Sequence, residues 1–229
     1  MSLPQAVLGL SNGVLAEMND DERLAFAYAH GPAVEGFGEG AELVCVWEAE
    51  SVPEDVHSAA AHLTVARFES LLDQLSRGEG WREPSDEALR VIAAFSEGTL
   101  LADDSERGSR ARAELTEFPQ ALADASREAV EGEVEEIAKR LGDAEDPWDL
   151  ADALTGGLHR AYVALFAASG YLFPGREHRH AFVGRYLLGE EVTAAEAALW
   201  EAAAAPLPDR AQHLPAAWRT FIQAVLDNC

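Results

Sequence analysis

Apolar and polar positions follow two different periods in the two halves of the chain. Val7, Leu8, Leu10, Val14, Leu15 and Met18 fall on one face of a helix over residues 4–18, interrupted near Gly13. From Arg23 to His30 large and small side chains alternate up to Gly31-Pro32, the pattern of a strand followed by a breaker. A loop holding Gly36, Gly38 and Gly40 comes next. Leu43-Val44-Cys45-Val46-Trp47 then reads as a short buried strand, closed by acidic residues and Pro53. His62 to Val65 suits a further strand edge. Phe68, Leu71, Leu72 and Leu75 form an i, i+3, i+4, i+7 stripe that ends at Gly78. Ser85 is placed to cap a helix holding Leu89, Ile92 and Phe95, and 98–102 makes a last short strand before Asp103-Asp104.

Strand signals stop near residue 110. Val130, Val134, Ile137 and Leu141 mark an amphipathic helix, with Glu135–Lys139 and Glu136–Arg140 spaced to pair at i, i+4. Asp146-Pro147 opens another helix, with Leu154, Leu158, Tyr162 and Leu165 on one face. Thr193 with Glu196 has capping-box spacing before Leu199 and Trp200. Pro215 is expected to start the last helix, striped by Trp218, Phe221, Ile222 and Val225. The expected fold class is α+β: a small mixed-sheet domain over 1–108, then an all-α helical bundle over 109–229. Ser, Gly and Arg cluster at 104–112, where a linker is expected. No internal repeat is visible.

Charge narrows the partners. The chain has 41 acidic residues against 17 basic ones, a formal net charge of −24, and Lys139 is its one lysine. Phosphate-rich partners are gathered by Lys and Arg, so a nucleic-acid surface is not expected. The acidity reads as solubility, or as the composition of a GC-rich or salt-adapted genome. No apolar run reaches the roughly 18–20 residues that cross a bilayer, and Met1 to Leu10 lacks a basic leader, so no membrane partner and a cytoplasmic location are expected. Cys45 and Cys229 make neither a disulfide framework nor a metal site.

Ala27 to Gly36 (AYAHGPAVEG) resembles the strand and Gly-Ser-x-x-Arg-Gly turn of polymerase-β-like nucleotidyltransferases. Glu39 to Trp47 (EGAELVCVW) resembles their Ser-Asp-x-Asp strand. Gly98-Thr99-Leu100-Leu101-Ala102-Asp103 resembles a "G-x-x-L-x-D" strand near the end of that domain. Leu165 to Gly175 (LFAASGYLFPG) resembles the helix end and "Y-x-P-G" turn of the helical domain. In pattern the chain is most similar to the kanamycin and streptomycin nucleotidyltransferase-like proteins, and the likeness runs in order over about residues 5–225.

That resemblance implies a chemistry whose residues are largely absent. Nucleotidyl transfer needs carboxylates on adjacent strands to hold Mg²⁺ ions that bridge a triphosphate. Alternate strand positions share a face, so Asp-x-Asp delivers two ligands to one cluster. Here those positions are Gly40 and Glu42, and the next strand, expected near Ala59 to Ala61, has no acid from His57 to His62. The phosphate-turn serine is Pro32, without hydroxyl or N–H, and the arginine is Glu35. Residues 1–60 hold one Lys or Arg, Arg23, against eleven acids.

Two functions follow. The first is a nucleotidyltransferase-fold protein that has lost Mg²⁺-dependent transfer, needs no cofactor, and binds a small ligand or a protein. Its acidity suits a cationic small molecule or a basic protein, with Glu35, Glu39 and Glu42 gathered where the metals would sit. The second is a divergent active transferase using NTP and Mg²⁺ on an antibiotic-like small molecule, with Glu42, Glu39 and Asp103 as metal ligands. Candidate catalytic residues are Glu42 and Glu39; candidate ligand-binding residues are Gly31, Glu35, Trp47, Asp103, Tyr171 and Arg176. His178-Arg179-His180 reads as surface, His159 as a hydrogen-bonded helix residue, and Trp47 as core.

Overall fold

The computed structural model describes residues 9, 23–36, 40–54, 56, 59–115, 119–175, 183–184 and 189–229. The expected helix over 4–18, apart from Gly9, and Glu39, Arg176, the 178–180 triplet and the side chain of Glu35 lie outside the described residues. The fold is α+β, and its residues group into two compact units, Met1–Gln74 with Arg90–Phe118 and Leu75–Leu89 with Pro119–Cys229.

The first unit is built on a four-stranded mixed sheet of order β3-β2-β1-β4. Its strands are β1 (Leu24–His30), β2 (Glu42–Trp47), β3 (Ala60–Thr64) and β4 (Thr99–Ala102). β1 runs antiparallel to both β2 and β4, and β3 is parallel to β2. The two central strands are buried on both faces, which explains their near-continuous apolar runs. Alternation sorts the faces. Ala27, Leu43, Cys45 and Trp47 form one cluster. On the other face Phe26 and Tyr28 meet Phe68 of α2 (Val65–Ser76) and Phe95 of α3 (Glu87–Glu97), with ring centroids 4.9 to 5.7 Å apart around Phe95. Between β1 and β2 the chain makes a short helix, α1 (Pro32–Glu35).

Residues 104–112, expected as linker, are instead largely helical, in α4 (Arg107–Glu114). Only Gly108 of α4 is buried, so no apolar stripe announces it. Tertiary contacts hold it. The Asp103 carboxylate accepts the Gly108 N–H at 2.8 Å, the Ser109 N–H at 2.7 Å and the Ser109 hydroxyl at 2.6 Å. Arg112 donates to the carbonyls of Phe95 and Gly98, at the C-terminal end of α3. Asp103→Ala should therefore lower stability by about 1–2 kcal/mol. Urea unfolding checks it, and an unchanged midpoint would deny Asp103 this role.

The second unit is a bundle of α5 (Gln120–Asp143), α6 (Pro147–Ala168), α7 (Glu190–Ala204) and α8 (Leu207–Asp227). α5 packs on both α6 and α8, and α7 packs on α8. α6 starts as its sequence predicts, with Asp146 accepting the Trp148 N–H at 2.6 Å and Pro147 in the first turn. Three expectations fail here. The last helix begins at Leu207, and Pro215 lies inside it. Proline forfeits one backbone bond, but Leu214, Trp218, Phe221, Ile222 and Val225 are buried on that helix and hold it through the break. α7 begins at Glu190, so Thr193 and Glu196 are interior residues rather than a capping box. Glu135 makes a two-bond contact with Arg219, at 2.7 and 2.8 Å, and Arg140 reaches Asp152 at 3.1 Å. Interhelical partners have displaced the i, i+4 pairs. Among the described residues no helix is long and apolar enough to cross a membrane.

Candidate functional site

Of the candidate residues of the first unit, the segment between β1 and β2 brings Gly31 and Glu42 together. Gly31 has φ 111° and stands before α1; a Cβ on it would come within 3.3 Å of the Gly40 carbonyl. Gly36 ends α1 with φ 84°, and Gly40 has φ 101°. These are left-handed conformations that glycine adopts without strain. The Gly40 carbonyl accepts the Ala33 N–H at 2.9 Å, which ties α1 to the start of β2. The described flanks of the glycine-rich loop are tied together, and they enter the sheet as direct partners, His30 opposite Glu42.

Glu42 therefore has an identifiable neighbourhood. His30 Nε2 lies 3.5 Å from Glu42 Oε2, with the imidazole mostly covered and the carboxylate 77% exposed. Val44, two residues on, shares its face and pairs with Ala61 of β3. The position expected for a third carboxylate thus holds a methyl group. Tyr28 stands two residues before His30 on the same face, its ring 6.1 Å from the imidazole. Its hydroxyl is fully buried and has no hydrogen-bond partner among the described residues. Burial pushes the Tyr28 phenol up, opposed by the nearby charge of Arg90. Burial also pushes the His30 pKa down, against the pull of Glu42, and Arg90 pushes it the same way as burial.

The other candidates have structural employment. Trp47 is buried and donates its indole N–H to His62 Nδ1 at 3.2 Å. Asp103 gives both oxygens to the start of α4. In the second unit Tyr171 follows the end of α6, one-third exposed, and its N–H bonds to the Phe166 carbonyl. Burial raises the thiols of Cys45 and Cys229 to about 11, so neither is an activated nucleophile.

Two polar groups of the second unit carry more than their sequence context suggests. Glu196 is buried; it accepts the Tyr162 hydroxyl, and also the Trp200 indole N–H at 2.9 Å. His159 Nε2 lies 2.7 Å from the Trp81 carbonyl, and burial pushes its pKa down. A histidine whose folded pKa is depressed opposes folding when protonated. Its contribution is complete above the unfolded value near 6.5 and is lost as pH falls below it. Wild type should thus lose stability relative to His159→Gln between pH 7.0 and 5.5, by at most about 1.4 kcal/mol per pH unit. Paired urea titrations measure the difference, and an opposite slope would refute the assignment. A cavity of ≈ 210 Å³ in the same unit is lined by Arg82, Arg140, Arg160, Glu83 and Glu133. Its charges are spent on one another, with Arg160 2.7 Å from Glu133 and Arg82 3.4 Å from the same carboxylate.

Sequence reasoning overlooked His30, Tyr28 and Arg90. Only the register could have revealed the first, since it pairs the residue before Gly31 with Glu42. No protein-family model matches the chain, and no curated protein matches it closely enough to name a relative.

Proposed function

We propose that the chain is a nucleotidyltransferase-like protein without Mg²⁺-dependent transfer chemistry, acting as a binding module for a small ligand or a protein. The observation that carries this reading is the state of Gly40. It stands where the first Asp of an Asp-x-Asp pair would be, in a φ of 101° that a side chain would strain, with its carbonyl committed to Ala33. The position lacks a ligand, and its backbone does not welcome one.

The remaining donors do not fit a Mg²⁺ pair. Glu42 keeps a carboxylate beside a neutral-leaning imidazole, Ala61 offers none, and Asp103 is held by three bonds to α4. The start of β2 retains an exposed carboxylate beside the Gly31 turn, which suits a cationic ligand such as a polyamine or an aminoglycoside-like amine. Calorimetric titration with spermidine and with kanamycin tests this. Binding that weakens in Glu42→Gln supports the reading, whereas the absence of heat with either amine removes the small-ligand half of it.

A further inference from the structure

Four large apolar side chains are prominently exposed among the described residues, and two of them start helices of the second unit. Trp148, in the first turn of α6, is 83% exposed, and Leu207, in the first turn of α8, is 48% exposed. Arg210 of α8 donates to the Ala144 carbonyl at 2.8 Å, which places the start of α8 at the end of the bundle where α6 begins. Trp148 is held firmly. Asp146 captures its backbone N–H and Pro147 fixes the turn, so the exposed indole projects from a rigid helix start rather than from a loop. An indole left in water forgoes the burial that makes aromatic side chains favourable, which is the profile of an interface anchor.

The surroundings of that anchor are predominantly acidic. Asp143, Glu145, Asp146, Asp149 and Asp152 fall within residues 143–152, a stretch without Lys, Arg or His. Asp209 adds a carboxylate in the first turn of α8. Of the nearby guanidiniums, Arg140 is paired with Asp152, and Arg210, held on the Ala144 carbonyl, keeps its charge but is outnumbered by Asp143, Glu145, Asp146, Asp149 and Asp209. The geometry points to this corner as a docking surface for a basic peptide segment of a partner protein, one that presents Arg or Lys next to an apolar side chain. Cations meet the indole face and the carboxylates together, and the apolar residue covers Trp148 and Leu207. A second copy is disfavoured, because each chain carries a net charge of −24 and would present the same acidic corner. Nucleic acid and anionic lipid are repelled for the same reason.

The inference rests on the binding-module reading only in expecting a partner, and its test leaves the Glu42 site untouched. The full chain is titrated calorimetrically with an amidated peptide of alternating Arg and Leu, at low and at physiological salt. Its Glu-for-Arg counterpart serves as control. The basic peptide should bind and shift tryptophan emission to the blue, while the acidic one should not bind. Trp148→Ala and Glu145→Lys should each weaken binding by roughly tenfold or more, and Glu128→Lys, elsewhere on α5, by less than about twofold. Trp148 and Glu145 are exposed, so circular dichroism should find both variants folded. Equal affinity across all variants would mean diffuse attraction to an acidic chain and would overturn the docking surface, as would no binding. Sedimentation of wild type as a dimer that Trp148→Ala dissociates would assign the corner to self-association and overturn it too.

Discussion

Phe95→Ala should be the most damaging single change in the sheet unit, lowering its stability by about 3–5 kcal/mol. Phe95 is fully buried and touches three aromatic rings: Phe26 at 5.7 Å, Tyr28 at 5.2 Å and Phe68 at 4.9 Å. Edge-to-face packing of this kind adds to the burial itself. The Arg112 guanidinium also lies 5.0 Å from the ring centre, so truncation loosens the residue that joins α3 and α4. Removing the ring opens a void under β1 just before the Gly31 turn. Phe95→Leu, which keeps more of the volume, should recover a substantial part of the loss. Urea unfolding followed by circular dichroism measures both, and a cost below about 1 kcal/mol for alanine would mean that α3 does not cover the sheet as described.

Trp218→Ala should have a comparable effect in the bundle, again about 3–5 kcal/mol. Trp218 is buried on α8, donates its indole N–H to the Val134 carbonyl of α5 at 3.2 Å, and packs against Phe221. Its ring also fills the space left by Gly157 of α6, where an added Cβ would come within 2.6 Å of Cη2. Three helices thus meet on one side chain. The converse substitution, Gly157→Ala, forces that ring aside and should cost about 1–3 kcal/mol. Chemical denaturation of the two single variants and the double variant measures the coupling. Gly157→Ala should cost much less once Trp218 is already alanine, because the clash has gone. Strict additivity would contradict the packing.

How much of this could be read in advance depended on where each signal resides. β1 and β2 announce themselves because apolar side chains fill both faces of a central strand, and α6 because Asp146-Pro147 is a local start signal. α4 was hidden, since its support comes from Asp103 and from Arg112 reaching the end of α3, neither of which leaves a periodic trace. Pro215 misled because a proline is a fair start signal, and only the buried stripe on both sides of it overrules that. Glu196 misled in the opposite direction. Its spacing from Thr193 imitates a cap, while its true partners, Tyr162 and Trp200, are set by packing. At the start of β2 the absence of an Asp-x-Asp pair is plain from residue identity, since residues 40–42 are Gly-Ala-Glu. The positive φ of Gly40 and the pairing of His30 with Glu42 required the turn geometry and the strand register.

Nucleotide binding decides whether the start of β2 can hold a Mg²⁺-nucleotide. The most direct measurement is the melting temperature of the full chain with millimolar ATP, GTP, CTP or UTP, each with and without Mg²⁺, in wild type and Glu42→Ala. Of the positions Gly40, Glu42, Ala61 and Asp103 only two carry a carboxylate, and that of Asp103 is held at the start of α4, so none of the nucleotides should shift the wild-type transition more than Mg²⁺ alone. A rise of several degrees that needs both nucleotide and Mg²⁺, and that disappears in Glu42→Ala, would contradict the account.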